Sequence, residues 1–443
     1  MQNDFFIKNS LNDIKSILKL KKLSVKDLLS LSHKLHKKFN NQFHFTESFD
    51  IDQKSISLDG EMGGIPYLAK DIFNTKLFKT EMGSVIWKDF YPGNNARLID
   101  NLNSAGGILI GKTVTSEFAI HAPNKTLNPF NISRKVGTSS SGSTVAVSLG
   151  IVPFALGTQT AGSIIRPASF CGIFGMKPTY GLLPRTGILK TTDTLDNPGF
   201  MTANINSLKT VLDNIRVKGK NYPFVYKNID TYKKVLNKPI KIGFIKTYCW
   251  DYAEDYVKKE IEKLLKRIEE NISYDLIEIE EIEELHNAHA VHGIIYDKCI
   301  SYYFNEELKD YKNNITSSTL EMSERGLKIK PEEYLFALNE QKRISKIIND
   351  KFLNFDAVIS LSTTSHAPKL ENDEIMDPCL IWTLAGIPTI NVPLCSHQNM
   401  PFGVQLVASK YNDYQLLEVL NNLAKDKIIR SKSIKPEVIN FNK

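Results

Sequence analysis

Paired cysteines, long apolar runs and segregated charge are all missing from this sequence, and each absence removes a class of protein. The five cysteines (Cys171, Cys249, Cys299, Cys379 and Cys395) are odd in number, far apart and without a CxxC pair. That pattern predicts reduced thiols in the cytoplasm. The most apolar stretch, Val145 to Leu156, contains Ser148, Gly150 and Pro153 and falls well short of the roughly 18 residues of a membrane span. The start, MQNDFFIKNS, carries an acid at position four and leads into a Lys-rich amphipathic stretch, unlike a secretory signal. Although 56 basic side chains outnumber 49 acidic ones, for a net charge of +7, the excess is scattered lysine rather than a stripe, so nucleic-acid binding is not indicated. No repeat or low-complexity linker divides the 443 residues.

What is present alternates between helical and extended patterns. Residues 10 to 38 read as two helices joined near Lys22, Leu23 and Ser24, with Ser24 placed to cap the second. Residues 40 to 60 have little pattern. The runs GGIPYLAKD (63–71), ILIGKT, PIKIGFIK (239–246), YDLIEIE (274–280), FDAVIS, IPTINVPL and FGVQLVAS read as strands. NNARLIDNLNSAGG suits a helix stopped by glycine. A helix carries Val257, Ile261, Leu264, Leu265 and Ile268 on one face, residues 281 to 354 are mostly helical, and YQLLEVLNNLAKD closes the ordered part. Such alternation predicts one large α/β domain.

GGILIGKT (106–113) satisfies the phosphate-loop pattern GxxxxGK[S/T]. Its context is wrong: a helix and a Gly-Gly turn come first, and Ile108, Leu109 and Ile110 then read as a core strand rather than a flexible cradle.

Two segments dense in hydroxyls and glycine remain. VGTSSSGSTVAVSLG (136–150) gathers Gly137, Ser139, Ser140, Ser141, Gly142 and Ser143 where a helix begins. GTQTAGSIIRPASFCG (157–172) puts Thr160, Ala161, Gly162 and Ser163 in a turn with little side-chain bulk. Such a turn is able to aim consecutive amides into one cavity, as a developing oxyanion requires. Each segment alone also fits an ordinary capping or turn motif.

Together with IPYLAKD (65–71), these segments resemble the amidase signature family. The resemblance extends through AGGILIGKTVTSEFA, PASFCGIFGMKPTYGLLPRTGI, TLDNPGFM, LAGIPTINVPL and MPFGVQLVA, and covers about residues 10 to 425 with a less recognisable middle at about 205–355. It implies a central mixed β-sheet covered by helices on both faces. Residues 1–45 would form a helical segment packed on the core, and 46–443 a single α/β domain. The resemblance also implies that Ser163 is the nucleophile, Ser139 a bridging serine at a cis peptide bond and Lys70 the base. The N–H groups of Thr160, Ala161, Gly162 and Ser163 would form the oxyanion hole, with no metal or other cofactor. A serine hydroxyl is a weak nucleophile, and lysine accepts its proton only when neutral, so Lys70 must titrate well below about 10.4.

The sequence departs from the family's commoner pattern at Gln159 for Asp, Ala161 for Gly, and Thr138 and Ser141 for glycines. Ser141 and Gln159 also occur in a branch of simple amidases, whereas Thr138 is less usual and bears on the backbone at Ser139. Ser140, Gln159, Tyr296, Asp377 and Trp382 are candidate substrate-binding residues, with a core role equally open to Trp382. His289 and His292 in NAHAVHG have helical spacing; pocket lining or a partner is favoured over a metal. Cys171, in an apolar run without a base, reads as a buried thiol, and Arg166 as a loop-holding donor. The expected activity is hydrolysis of a small-molecule carboxamide to a carboxylate and an amine or ammonia, without a membrane or nucleic acid, the oligomeric state open and a homodimer admitted. The alternatives are a glutaminase component of a tRNA-dependent amidotransferase, which would add protein and tRNA partners, and a catalytically silent scaffold.

Overall fold

The computed structural model describes residues 1–52, 58–218, 229, 236–372 and 375–440. Its strands are β1 (Thr46–Phe49), β2 (Pro66–Lys70), β3 (Ile108–Thr113), β4 (Phe154–Gln159), β5 (Phe174–Lys177), β6 (Asn197–Thr202), β7 (Ile240–Ile245), β8 (Tyr274–Ile279), β9 (Ala357–Leu361), β10 (Thr389–His397) and β11 (Met400–Val407). They form one 11-stranded mixed sheet in the order β1-β3-β2-β4-β6-β5-β10-β11-β9-β7-β8. The expected α/β architecture is therefore present, with helices flanking the sheet.

Near-continuous apolar runs belong to strands covered on both faces, and β2, β3, β4, β5, β6, β9 and β11 are buried at every residue. At the edge, β8 exposes Ile277 and Glu278, so its apolar sequence overstates its burial. Strand β1 lies where residues 40 to 60 showed no pattern. It pairs antiparallel with β3 at the opposite edge, where backbone pairing suffices without a strong side-chain signal. Nor were β4, β5 and β6 expected: their Gly157, Gly175, Pro198 and Gly199 obscure strands that their neighbours specify.

The N-terminal helices Leu11–Lys19 and Val25–Phe43 each begin with a capping box, Ser10 with Asp13 and Ser24 with Asp27. The second runs past residue 38 because buried Phe39 and Phe43 continue its apolar face. Gly106, at φ +86°, follows the helix Arg97–Ser104 and turns the chain into β3. The lysine of the phosphate-loop pattern lies inside that strand. Fully buried Lys112 Nζ contacts Asp71 Oδ1 at 2.9 Å, Thr80 Oγ1 at 2.8 Å and the Lys79 carbonyl at 3.0 Å. It therefore ties down a loop instead of reaching for a phosphate.

The middle of the chain contributes Asp255–Glu269, Ala288–Tyr303, Ser317–Lys328 and Pro331–Phe352. On the first, Val257, Ile261, Leu264 and Ile268 are buried as expected, and Leu265 is half-buried. Buried Glu117 anchors the third: its carboxylate accepts from the Thr316 N–H at 2.9 Å and from the Thr316 and Thr319 hydroxyls at 2.6 Å. This carboxylate meets the positive end of the helix. No helix among the described residues is long and apolar enough to cross a membrane.

Candidate active site

Strands β2 and β4 run parallel, with Leu68 opposite Ala155 and Ala69 opposite Leu156. Their C-terminal ends therefore deliver Lys70 and Gln159 to the same side of the sheet. The helix Ser141–Ser148 packs beside β2 and β4 and brings the preceding loop, Gly137 to Ser140, to that end. Two loops separated in sequence thus meet around one lysine.

Lys70 is fully buried. Its Nζ lies 2.7 Å from Ser139 Oγ, 2.9 Å from Thr158 Oγ1 and 3.2 Å from Ser140 Oγ. Burial holds it well below the usual lysine value, against a smaller opposing pull from Asp196. Desolvation disfavours the ammonium, and three neutral hydroxyls do little to restore it. A neutral amine has two N–H donors and one lone pair. Ser140 spends its own proton on the Thr158 carbonyl at 3.0 Å, whereas Ser139 Oγ has no other hydrogen bond among the described residues. Ser139 is thus placed to donate into the Lys70 lone pair.

The loop after β4 is held from several directions. Gln159 Oε1 accepts the N–H groups of Ile164 at 2.8 Å and Ile165 at 2.9 Å, while its amide donates to Thr383 Oγ1 at 2.9 Å. Thr383 in turn donates to the Ala161 carbonyl at 2.6 Å. Thr160 Oγ1 donates to Asp196 at 2.9 Å. His292 Nε2 lies 2.8 Å from the Thr160 carbonyl. Burial lowers its pKa to about 4, so the ring is neutral with its proton on Nε2, because a carbonyl only accepts. These bonds occupy the carbonyls of Thr160 and Ala161. The four N–H groups from Thr160 to Ser163 make no hydrogen bond to the protein among the described residues.

Behind this loop, Arg166 pairs with Asp377 at 3.3 Å. A Cβ added at Gly162 would stand 2.6 and 2.7 Å from the two Asp377 oxygens, so a larger residue there must displace that carboxylate from the loop. Burial pushes the Asp377 carboxyl up, but Arg166, His121 and His289 outweigh it and hold the group below its usual value.

Ser163 Oγ lies 2.9 Å from Thr138 Oγ1, and the Arg166 guanidinium donates to that same threonine oxygen at 3.3 Å. Among the described residues Ser163 has no hydrogen bond to Ser139. The direct serine-to-serine contact implied by the resemblance is therefore absent from the resting arrangement. The Ser139 peptide bonds are trans as well; the cis bond among the described residues is Lys238–Pro239.

Three cavities surround the site. One of about 520 Å³ is lined by His121, Asn124, Lys135, Thr138, Ser141 and Arg166. Another, of about 420 Å³, shares His121 and Ser318 with it and adds His289, His292, Tyr296 and Arg325. A smaller one of about 200 Å³ reaches Thr158, Thr160 and Asp196.

Of the candidate substrate contacts, Tyr296 lines the second cavity and Asp377 backs the loop through Gly162 and Arg166. Ser140 and Gln159 are fully buried and spend their polar atoms on protein groups, so they hold the loop rather than face a ligand. Trp382 is fully buried against Phe352, with ring centroids 5.6 Å apart, and belongs to the core. Arg166 holds loops together, as expected. His289 pairs with the Tyr248 hydroxyl, and no group of three or more His, Cys, Asp or Glu among the described residues is arranged to hold a metal ion. Burial raises the Cys171 thiol above its usual value, keeping it protonated.

Thr158 and Asp196 went unassigned in the sequence, whereas His289 and His292 line a cavity, and the contact of His292 with the Thr160 carbonyl was not foreseen. Thr158 lies two residues before Thr160 and Asp196 inside TLDNPGFM, where local pattern gives no direction. Asp196 binds three threonine hydroxyls, of Thr160, Thr191 and Thr192, at 2.6 to 2.9 Å. The Thr138 departure was the one local signal of a changed site.

The family model described as Amidase matches residues 36–417. A curated relative from Coxiella burnetii, a component of the glutamyl-tRNA(Gln) amidotransferase, is 29% identical over 431 residues, covering 86% of this chain and 88% of the relative. That alignment is too long to skip the middle segment. The solved structure of the corresponding Thermotoga maritima glutamyl-tRNA(Gln) amidotransferase component superposes with a TM-score of 0.83 at 25% identity, covering 99% of both chains. Native peptide amidase from Stenotrophomonas maltophilia shares the fold, with a TM-score of 0.82 at 21% identity over 98% of this chain and 99% of that one. With a matching family model over most of its length, the chain belongs to the amidase family and is a hydrolase of carbon–nitrogen bonds in amides.

Proposed function

We propose that the protein hydrolyses a small linear carboxamide through an acyl-enzyme on Ser163. The observation that carries this reading is buried Lys70, held below its usual pKa with Ser139 Oγ 2.7 Å away. In the proposed reaction Ser163 Oγ attacks the amide carbon and its proton passes through Ser139 to Lys70. The carbonyl oxygen becomes an oxyanion facing the four N–H groups of residues 160 to 163. Lys70 then returns the proton through Ser139 to the leaving nitrogen as the C–N bond breaks. Water repeats the sequence on the ester and releases the carboxylate. For the relay to form, Ser163 Oγ must exchange its Thr138 partner for Ser139. All the participating groups come from one chain, so the chemistry requires no second copy.

Turnover of a panel of carboxamides by the wild type and Ser163→Ala tests this reading. It expects release of amine or ammonia from the wild type alone, and equal rates in both proteins would discard Ser163 as nucleophile.

A second reading, a glutamine-hydrolysing component of a tRNA-dependent amidotransferase, is favoured by the names of the Coxiella and Thermotoga relatives. It adds protein partners and tRNA to the same Ser163 chemistry. Co-purification of partner proteins, with glutamine preferred over simple amides, would support it. A chain that purifies alone and turns over simple amides faster than glutamine would support the first reading.

A further inference from the structure

We infer that Thr138 is a brake on the nucleophile: its hydroxyl, anchored by Arg166, holds Ser163 away from the Ser139–Lys70 relay in the resting enzyme. This rests on the reading of Ser163 as nucleophile. The anchor is an unbroken chain of contacts: Asp377 to Arg166 at 3.3 Å, Arg166 to Thr138 Oγ1 at 3.3 Å, and Thr138 Oγ1 to Ser163 Oγ at 2.9 Å.

Either hydroxyl is able to donate in the Thr138–Ser163 pair, and the brake takes Thr138 as the donor. A guanidinium only donates, so it occupies an acceptor position on Thr138 and leaves the threonine proton available for Ser163. A proton donated to Ser163 Oγ engages a lone pair needed for attack. The nearby cation polarises the threonine hydroxyl and strengthens that donation.

Backbone packing keeps the arrangement in register. Gly137 has φ +122°, and a Cβ there would stand 2.8 Å from Pro167 Cβ, so the residue before Thr138 is pressed against the residue after Arg166. A glycine at 138 would leave Ser163 without this partner. Thr138 and Arg166 also line the cavity of about 520 Å³, where an incoming substrate would meet them and free Ser163 for Ser139.

The test compares wild type, Thr138→Val, Thr138→Ala and Thr138→Ser by their rates of Ser163 labelling with a small fluorophosphonate. Losing one hydrogen bond that opposes reaction should raise the rate about two- to tenfold in the Val and Ala variants. The Ser variant, with its hydroxyl restored, should return toward wild type, and the pH at which the rate levels off should not move. Labelling of both apolar variants at or below the wild-type rate would overturn the brake. Failure of the wild type to label at all would count against the acyl-enzyme reading instead. A crystal structure of Thr138→Val then still decides: Ser163 Oγ turned to Ser139 supports the brake, and Ser163 unmoved overturns it.

Discussion

Lys70 and Lys112 sit on neighbouring parallel strands, and both are fully buried, yet their surroundings assign them opposite work. Lys112 Nζ lies 2.9 Å from the Asp71 carboxylate, whereas Lys70 touches hydroxyls alone, with Asp196 too far for a hydrogen bond but felt electrostatically. Burial lowers both, and contact with Asp71 pulls Lys112 back up. Depth in the core therefore does not make a lysine a base. What matters is whether a charged partner is within reach, since desolvation without compensation favours the neutral amine.

Exchanging each lysine should separate chemistry from stability. Lys70→Met is expected to lower amide turnover by about 10³-fold or more, the upper range of general base contributions, while the folded protein persists in circular dichroism. A variant retaining a tenth of wild-type turnover would remove Lys70 from the mechanism. Gly162→Ala comes next, because its Cβ would meet both Asp377 oxygens within 2.7 Å. Displacing the N–H cradle should cost about 10²-fold in kcat. Lys112→Met should instead destabilise the fold by about 3 kcal/mol in urea unfolding, because it strands the buried Asp71 carboxyl.

Smaller effects sharpen the same contrast. His292→Phe leaves the Thr160 carbonyl without its donor and should lower kcat about tenfold with little change in KM, linking the middle helices to the loop. Stability should also carry the signature of Lys70. Because its folded pKa is lowered, the unfolded chain binds a proton that the folded chain refuses, from about 10.4 down to the lowered value. The resulting penalty is absent above that window and grows as pH falls through it, so stability rises with pH there. Lys70→Met should flatten this rise, measured as Tm at pH 7 and pH 10.

Much of this contrast is legible in the sequence. Apolar runs such as ILIGKT and FGVQLVAS announced β3 and β11, since strands buried on both faces need little else to identify them. The same context denied Lys112 a phosphate, and the spacing of Lys70, Ser139 and Ser163 carried the family resemblance. Contacts between distant segments were hidden. His292 reaches Thr160 from 132 positions away, and Asp377 backs Gly162 from another helix-loop segment; no local pattern encodes either. Ser140 and Gln159 were misread, and Trp382 was left open between pocket and core, for the complementary reason. Hydroxyl, amide and indole groups suit a pocket as well as a loop or core, and which way they face is decided by the sheet beneath.

The most direct test is the pH dependence of Ser163 labelling by a fluorophosphonate, in the wild type and in Lys70→Arg. The account predicts a wild-type rate that climbs with pH and levels off well below about 10.4, and an arginine variant that stays unreactive throughout. A wild-type rate still climbing beyond that pH, or an arginine variant labelled as fast as wild type, would contradict a neutral Lys70 as the base.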